Sequence, residues 1–221
     1  DHPGIRYLIR KIVSGGREIG VSSLRADRLD AELVQLLAQG GYQTLTTAAD
    51  GASQRLRDAA GRNISEQHLL RAAELARGAG LRRMKVYQLL GLPGESAEDV
   101  EELVRFSREL ASIVPLSMTL SPFVAKKNTP MDGAPFEPVR SQSAKLARIR
   151  KALKGKVDIK PVSVRWAWVE YMLSQGDESA GLAAMDAWKA GGDFASWRRA
   201  FADRGMSASL TGAGPEKPME E

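Results

Sequence analysis

The chain has 221 residues, 43% of them hydrophobic and 27% charged, which excludes a wholly disordered protein and allows the cores of one or two domains. Its net charge of +5 is compatible with anionic ligands or nucleic acid and requires neither. With no cysteine, the chain cannot form disulfides or hold a metal through thiolates, and no apolar run reaches the length of a membrane span. We therefore predict a cytoplasmic protein that does not enter a membrane.

Helices and strands are predicted to alternate through the first part of the chain. Apolar residues at helical spacing, with glycine pairs as stops, indicate helices over 3–14 and 26–41. REIGVSSL (17–24) and YQTLTTA (42–48) are typical of strands. A short helix is predicted over 52–60, and Ser65 is predicted to cap the next helix, over 65–78.

The same alternation continues to residue 123. RRMKVYQLLGL (82–92) and PLSMTLSPF (115–123) are predicted strands, and the segment between them is a predicted helix capped by Ser96. Strands that alternate with helices through short connections indicate a parallel sheet with right-handed crossovers. We therefore predict an α/β fold with barrel-like strand–helix units.

Ligands of parallel sheets bind at the carboxyl ends of the strands. Those ends are polar or rich in glycine and proline, and they read SSLR (22–25), TAADG (47–51), LGLPGES (90–96) and SPFVAKKNTP (121–130). Asp50 lies where a carboxylate can accept hydrogen bonds from a ligand hydroxyl or amine. A purely structural interpretation is also open, because Asp50 can cap the following helix, Arg62 can complement a helix dipole, and Gly91 can serve a turn.

Four segments together resemble the later strands of the radical S-adenosylmethionine (SAM) superfamily barrel, closest to the branch of cobalamin-binding radical SAM proteins and methylthiotransferases. They are GVSSLRADRLDAELVQLLAQGG, TLTTAADGASQRLRDAAGRNIS, MKVYQLLGLPGESAEDVEELV and SPFVAKKNTPM. The resemblance covers residues 1–135. It implies a partial TIM-like (β/α) barrel of four later strand–helix units, followed by a small, mainly helical C-terminal extension.

The resemblance also implies a set of SAM-binding residues. These are Ser22, Ser23, Arg25, Asp50, Arg62, Tyr87, Gln88, Gly91, Phe123 and Val124. The serines, assisted by Arg25, are expected to contact the methionine moiety or the ribose, and Arg62 to pair with the SAM carboxylate. Asp50 is shorter than the Glu or Gln that family members often carry at this strand end.

Further along the chain, Tyr87 and Gln88 are expected to face the ribose. Gly91 is expected to bring the backbone close to the adenine, which Phe123 and Val124 flank as an apolar wall. No catalytic residue and no metal ligand is assigned in this chain.

The chain departs from the family pattern in lacking the three cysteines that hold a 4Fe–4S cluster. We expect those ligands upstream, in a longer protein, and we expect this chain alone to be inactive in SAM cleavage. The intact enzyme is expected to accept electrons from flavodoxin or ferredoxin and to generate a 5′-deoxyadenosyl radical that attacks an unknown substrate. Whether it also uses cobalamin is left open.

Beyond residue 135 the sequence predicts a mostly helical extension over 136–205, including a strand at KVDIKPVS (156–163), and a disordered tail over 206–221. AKLARIRKALKGK is strongly basic, so the alternative function is a non-catalytic RNA-binding or interaction module on a degenerate barrel. Apolar residues at helical spacing in this tract favour a helix with one core face instead. Trp166, Val169 and Leu173 are likewise predicted to belong to a core.

Overall fold

The computed structural model describes residues 2–206, which contain nine α-helices and four β-strands. The predicted tail falls outside these residues from position 207 on. The helices are α1 (Ile5–Ser14), α2 (Ala31–Gln39), α3 (Gln54–Ala59), α4 (Glu66–Gly78), α5 (Ala97–Ile113), α6 (Val139–Leu153), α7 (Val164–Gln175), α8 (Glu178–Lys189) and α9 (Phe194–Asp203). The strands are β1 (Thr44–Ala48), β2 (Arg83–Leu90), β3 (Leu116–Pro122) and β4 (Val157–Pro161).

The four strands form one parallel sheet in the order β1-β2-β3-β4, which confirms the predicted α/β fold, consistent with a partial TIM-like barrel. In the β1–β2 ladder Thr44 pairs with Arg83 and Ala48 with Tyr87. Each crossover carries at least one helix, as parallel strands require.

The first predicted strand does not form, and the sheet is completed from the other end by β4. Residues 17–24 are extended, but they join neighbouring elements only through isolated hydrogen bonds, such as Ile19 N–H to Gly40 O (3.1 Å) and Leu24 N–H to Thr46 O (2.9 Å). A strand requires a repeated ladder, and two separate bonds do not supply one. The predicted alternation of strands and helices is therefore confirmed, but the predicted strand over 17–24 was wrong.

The chain divides into two compact units. The first contains residues up to 89, 95–120 and 149–160, and the second contains 90–94, 121–148 and the residues from 161 on. In the first unit α4 packs against α5 and α1 against α2. The predicted boundary at residue 135 remains a prediction of the sequence.

The helix starts in the first unit follow from local signals. Ser65 Oγ accepts the N–H of His68 (3.2 Å), and His68 Nδ1 accepts the N–H of Ser65 (3.1 Å) in return. Ser96 and Asp99 make the same reciprocal pair at the start of α5. Both predicted caps are confirmed, because each satisfies donors that a helix start otherwise leaves unpaired.

The second unit is held by aromatic side chains on α7 and α9. The Trp168 ring meets Phe194 and Phe201 edge to face, with centroids 5.7 and 5.6 Å apart. Val169 is buried as predicted, but Trp166 is 47% and Leu173 39% exposed, so their assignment to a core was wrong. The aromatic contacts of α7 are made instead by the helix face that carries Trp168.

Along residues 2–206 no helix combines the length and apolarity needed to cross a bilayer.

Candidate ligand site beyond the end of the first strand

The backbone after β1 places Asp50 in an unusual conformation. The N–H groups of Ala49 and Asp50 both point to the carbonyl oxygen of Tyr87, at 2.9 and 3.5 Å. Asp50 has a φ of +62°, in the left-handed region that aspartate tolerates better than most non-glycine residues. The chain therefore turns away from the sheet at this residue and leaves its carboxylate at the strand end.

Asp50, predicted from its place at a strand end, and Arg62, assigned through the family resemblance, lie together. Asp50 Oδ2 is 3.2 Å from Arg62 Nε, and the Asp50 side chain is only 22% exposed. Burial raises the pKa of Asp50, and the charge of Arg62 opposes that rise. Within residues 2–206 the terminal amino groups of Arg62 make no hydrogen bond, so they can still bind an anion.

A cavity of about 170 Å³ surrounds this pair. Its polar lining comes from Ser23, Arg25, Asp50, Arg62 and Asn63. The cavity is smaller than the roughly 300–1,000 Å³ of pockets that hold whole drug-sized ligands. It therefore has room for one polar end of a ligand.

Arg57 holds the loop that carries this pair. Its side chain is 1% exposed and donates hydrogen bonds of 3.1 Å to the carbonyl oxygens of Gly51 and Ile64 and to Gln54 Oε1. The backbone N–H of Arg62 in turn donates to the Arg57 carbonyl (2.8 Å). Burial lowers the pKa of Arg57, partly offset by nearby carboxylates. The sequence did not single out Arg57, because in a basic helix nothing distinguishes the buried arginine from the exposed ones.

The Ser22 and Ser23 hydroxyls are exposed and make no hydrogen bond within the described residues. Both line a second cleft, of about 710 Å³, with an apolar floor from the neighbouring helices. Arg25 is occupied instead, because its guanidinium forms a double contact with Asp27 at 3.1 and 3.0 Å. To bind a ligand, the Arg25 guanidinium would have to give up its contacts with Asp27.

Tyr87 and Gln88 lie on opposite faces of β2, as consecutive strand residues must. Tyr87 is 37% exposed, and its hydroxyl accepts a hydrogen bond from Lys85 Nζ (3.0 Å). Gln88 is 2% exposed and donates to the carbonyl of Leu89 (2.9 Å). Tyr87 and Gln88 therefore cannot both contact one ligand from this strand. The alternation of side chains along a strand would have shown this from the sequence alone.

The remaining predicted residues belong to the second unit. Gly91 has a φ of +80° and is packed so closely that an added Cβ would lie 2.8 Å from Glu137 Oε2. Phe123 is 8% exposed, and its N–H donates to the carbonyl of Leu90 (2.8 Å). Val124 is half-buried.

The donor set of the cavity suits a zwitterionic ligand. The Arg62 guanidinium can bind a carboxylate, the Asp50 carboxylate can accept from an ammonium or hydroxyl group, and the Ser23 hydroxyl can do either. These are the groups that the amino-acid end of SAM presents, so the residues fit that part of the cofactor. An iron–sulfur cluster does not fit this chain, because it has no cysteine and no trio of His, Asp or Glu side chains in residues 2–206 is grouped to hold a metal.

The fold and the candidate site together describe an α/β protein with a polar cavity at a parallel strand end. Comparison with known proteins identifies a more specific likeness, because residues 1–107 match the model of the Radical SAM superfamily. All of the first-unit site residues described above lie inside this range.

Two known proteins are similar to this chain, one over most of its length and one over less than half. An uncharacterized protein of Methanocaldococcus jannaschii is 31% identical over 181 residues, which are 81% of this chain and 40% of that protein. A protein of Pyrococcus horikoshii named as an uncharacterized methyltransferase is 26% identical over 89 residues, 40% of this chain and 19% of that protein. The chain thus spans less than half the length of either relative.

Proposed function

We propose that the chain is part of a radical SAM enzyme and that the strand-end cavity binds the amino-acid end of SAM. The observation that carries this proposal is the Asp50–Arg62 pair, 3.2 Å apart in a cavity inside the segment that matches the superfamily model. SAM, when bound with a reduced cluster, supplies radical chemistry that removes a hydrogen atom from a substrate. This chain contributes the binding and orientation of the cofactor rather than the cluster.

Each residue of the cavity has a distinct task in this proposal. Arg62 binds the carboxylate of SAM through its terminal amino groups, and Asp50 accepts a hydrogen bond from the ammonium group. Ser22, Ser23 and Arg25 remain predicted contacts, as do the residues of the second unit. The 4Fe–4S cluster needs thiolates from outside this chain, and cobalamin, the electron donor and a cytoplasmic location likewise remain predictions.

The name of the Pyrococcus relative supports transfer of a methyl group as the reaction type. A methylated product is therefore the outcome to look for first when substrates are screened.

The decisive experiment uses the complete gene product, prepared without oxygen. We expect bound iron and sulfide and the formation of 5′-deoxyadenosine from SAM. Lack of both cluster and turnover would contradict the proposal and would direct attention to RNA binding.

The site is tested by two variants of the same protein. Asp50→Asn keeps a residue that tolerates a positive φ, and Arg62→Gln removes the guanidinium. Each is expected to weaken SAM binding by roughly 1–3 kcal/mol, because one charged hydrogen bond is lost, with cluster content unchanged. Arg77→Gln, on an exposed residue at the end of α4, is the matched control for lost charge. Equal SAM affinity in all three variants would reject the site and leave the fold intact.

A further inference from the structure

The first unit exposes a polar face of its sheet. Along β2, Met84, Val86 and Gln88 are buried, while the alternate residues Arg83 and Tyr87 are exposed and Lys85 is partly exposed. Alternate residues of a strand share a face. Arg83, Lys85 and Tyr87 therefore form one row, which we call the basic row.

Hydroxyl groups border the basic row. In the ladder with β1, Thr44 lies beside Arg83 and Thr46 beside Lys85, and paired residues share a face of the sheet. On β3, Met118 lies within 3.9 Å of Ser107 in α5, so it faces the helices, and the alternate residues Ser117 and Thr119 face the other way.

The cations of the row have no carboxylate partner among residues 2–206. Lys85 donates to the Tyr87 hydroxyl (3.0 Å) and lies over its ring, 4.6 Å from the centroid. Within residues 2–206, the side chain of Arg83 makes no hydrogen bond or ion pair. The carboxylate of Asp158 on β4 accepts from Ser117 (3.1 Å) and lies 3.6 Å from Lys160, so it is already engaged.

A cleft of about 370 Å³ adjoins the start of the row. Arg83 lines it together with Ser117, Lys156 and Asp158. Two of these four polar residues are cations without an ion-pair partner in the part of the chain that the structure describes. A small anion therefore finds both room and donors here.

We propose that the basic row binds an anionic group, a phosphate or a carboxylate, of the enzyme's substrate. Residues two apart on a strand are about 6–7 Å apart, so the long side chains of Arg83 and Lys85 can reach one anion together. A guanidinium binds such groups bidentately, and the hydroxyls of Thr44 and Thr46 can complete the shell, whereas that of Ser117 is used on Asp158. The anion also relieves the repulsion between two adjacent cations. The identification of the ligand as a substrate rests on the proposed function, whereas the anion site itself does not.

The test is calorimetric titration of the full 221-residue chain with sodium pyrophosphate and with citrate, at constant ionic strength. We expect saturable binding of at least one anion, with Arg83→Gln and Lys85→Gln each weakening it by about tenfold, as for a lost charged hydrogen bond. Arg82→Gln is the matched control, since it removes the same charge from an exposed residue that precedes β2 and is not part of the row.

Tighter binding of pyrophosphate assigns a phosphate-bearing substrate, and tighter binding of citrate assigns a carboxylate. Absence of binding to both anions, or an equal loss in Arg82→Gln, overturns the inference. SAM titration of the complete gene product separates the two proposals. Anion binding without SAM binding refutes the proposed function alone, and SAM binding without anion binding refutes the basic row alone.

Discussion

Replacing Arg57 by methionine is expected to loosen the loop that carries Asp50 and Arg62. Methionine keeps the apolar stem of the buried side chain but removes all three hydrogen bonds that the guanidinium donates. Two of the abandoned acceptors are the backbone carbonyls of Gly51 and Ile64, at the two ends of the loop. The third, Gln54 Oε1, also accepts the N–H of Glu66 (3.1 Å), so it keeps a partner.

The expected loss follows from these partners. Two buried carbonyls left unpaired cost about 1–3 kcal/mol each. The variant also regains the free energy spent on burying a cation whose nearest carboxylate oxygen, on Glu66, is 4.0 Å away. We expect a net destabilisation of about 3 kcal/mol, which lowers the urea midpoint by roughly 1–3 M at ordinary m-values.

Urea unfolding followed by circular dichroism measures this change. Arg71→Met is the control, because the Arg71 side chain is exposed and makes no hydrogen bond or ion pair in residues 2–206. Arg57→Lys keeps the charge and is expected to fall between the wild type and Arg57→Met. If Arg57→Met unfolds at the wild-type midpoint, the three bonds contribute nothing and the reasoning is refuted.

Two further perturbations test the packing of each unit. Burial would raise the pKa of Asp99, but hydrogen bonds from Ser53, the Ser96 backbone and Arg55 hold it at about 2. The Asp99 carboxylate therefore contributes about 2 kcal/mol to the free energy of unfolding above pH 4, and this contribution is lost as the pH falls toward 2. Asp99→Asn should lack this acid-dependent loss of stability, whereas Glu74→Gln, on an exposed residue, should keep it. The same dependence of stability on acid pH in both variants would contradict this prediction. Gly91→Ala should lower the melting temperature more than Gly94→Ala. Both glycines have a positive φ, but only a Cβ added at Gly91 would collide with a neighbouring atom, Glu137 Oε2. Equal melting temperatures would show that this collision does not occur.

Local signals in the sequence were sufficient for the helix starts and for the class of fold. Ser65 and Ser96 cap their helices because a cap involves residues three apart, which the sequence displays directly. Asp50 was placed at a strand end by the alternation of elements, whereas Arg62 was assigned through the family resemblance, and the structure places the two side chains 3.2 Å apart. The caps thus depend on contacts over a few residues, and the class of fold depends on the order of the elements along the chain.

The tertiary structure decided what depends on distant partners. Residues 17–24 have the composition of a strand but lack a ladder, while β4 obtains one from β3. Arg57 is buried among basic neighbours because Gly51 and Ile64 offer it carbonyl oxygens. The physical reason is common to both cases: hydrogen-bond partners and burial are supplied by other segments, and the sequence of one segment does not state which segments will meet it.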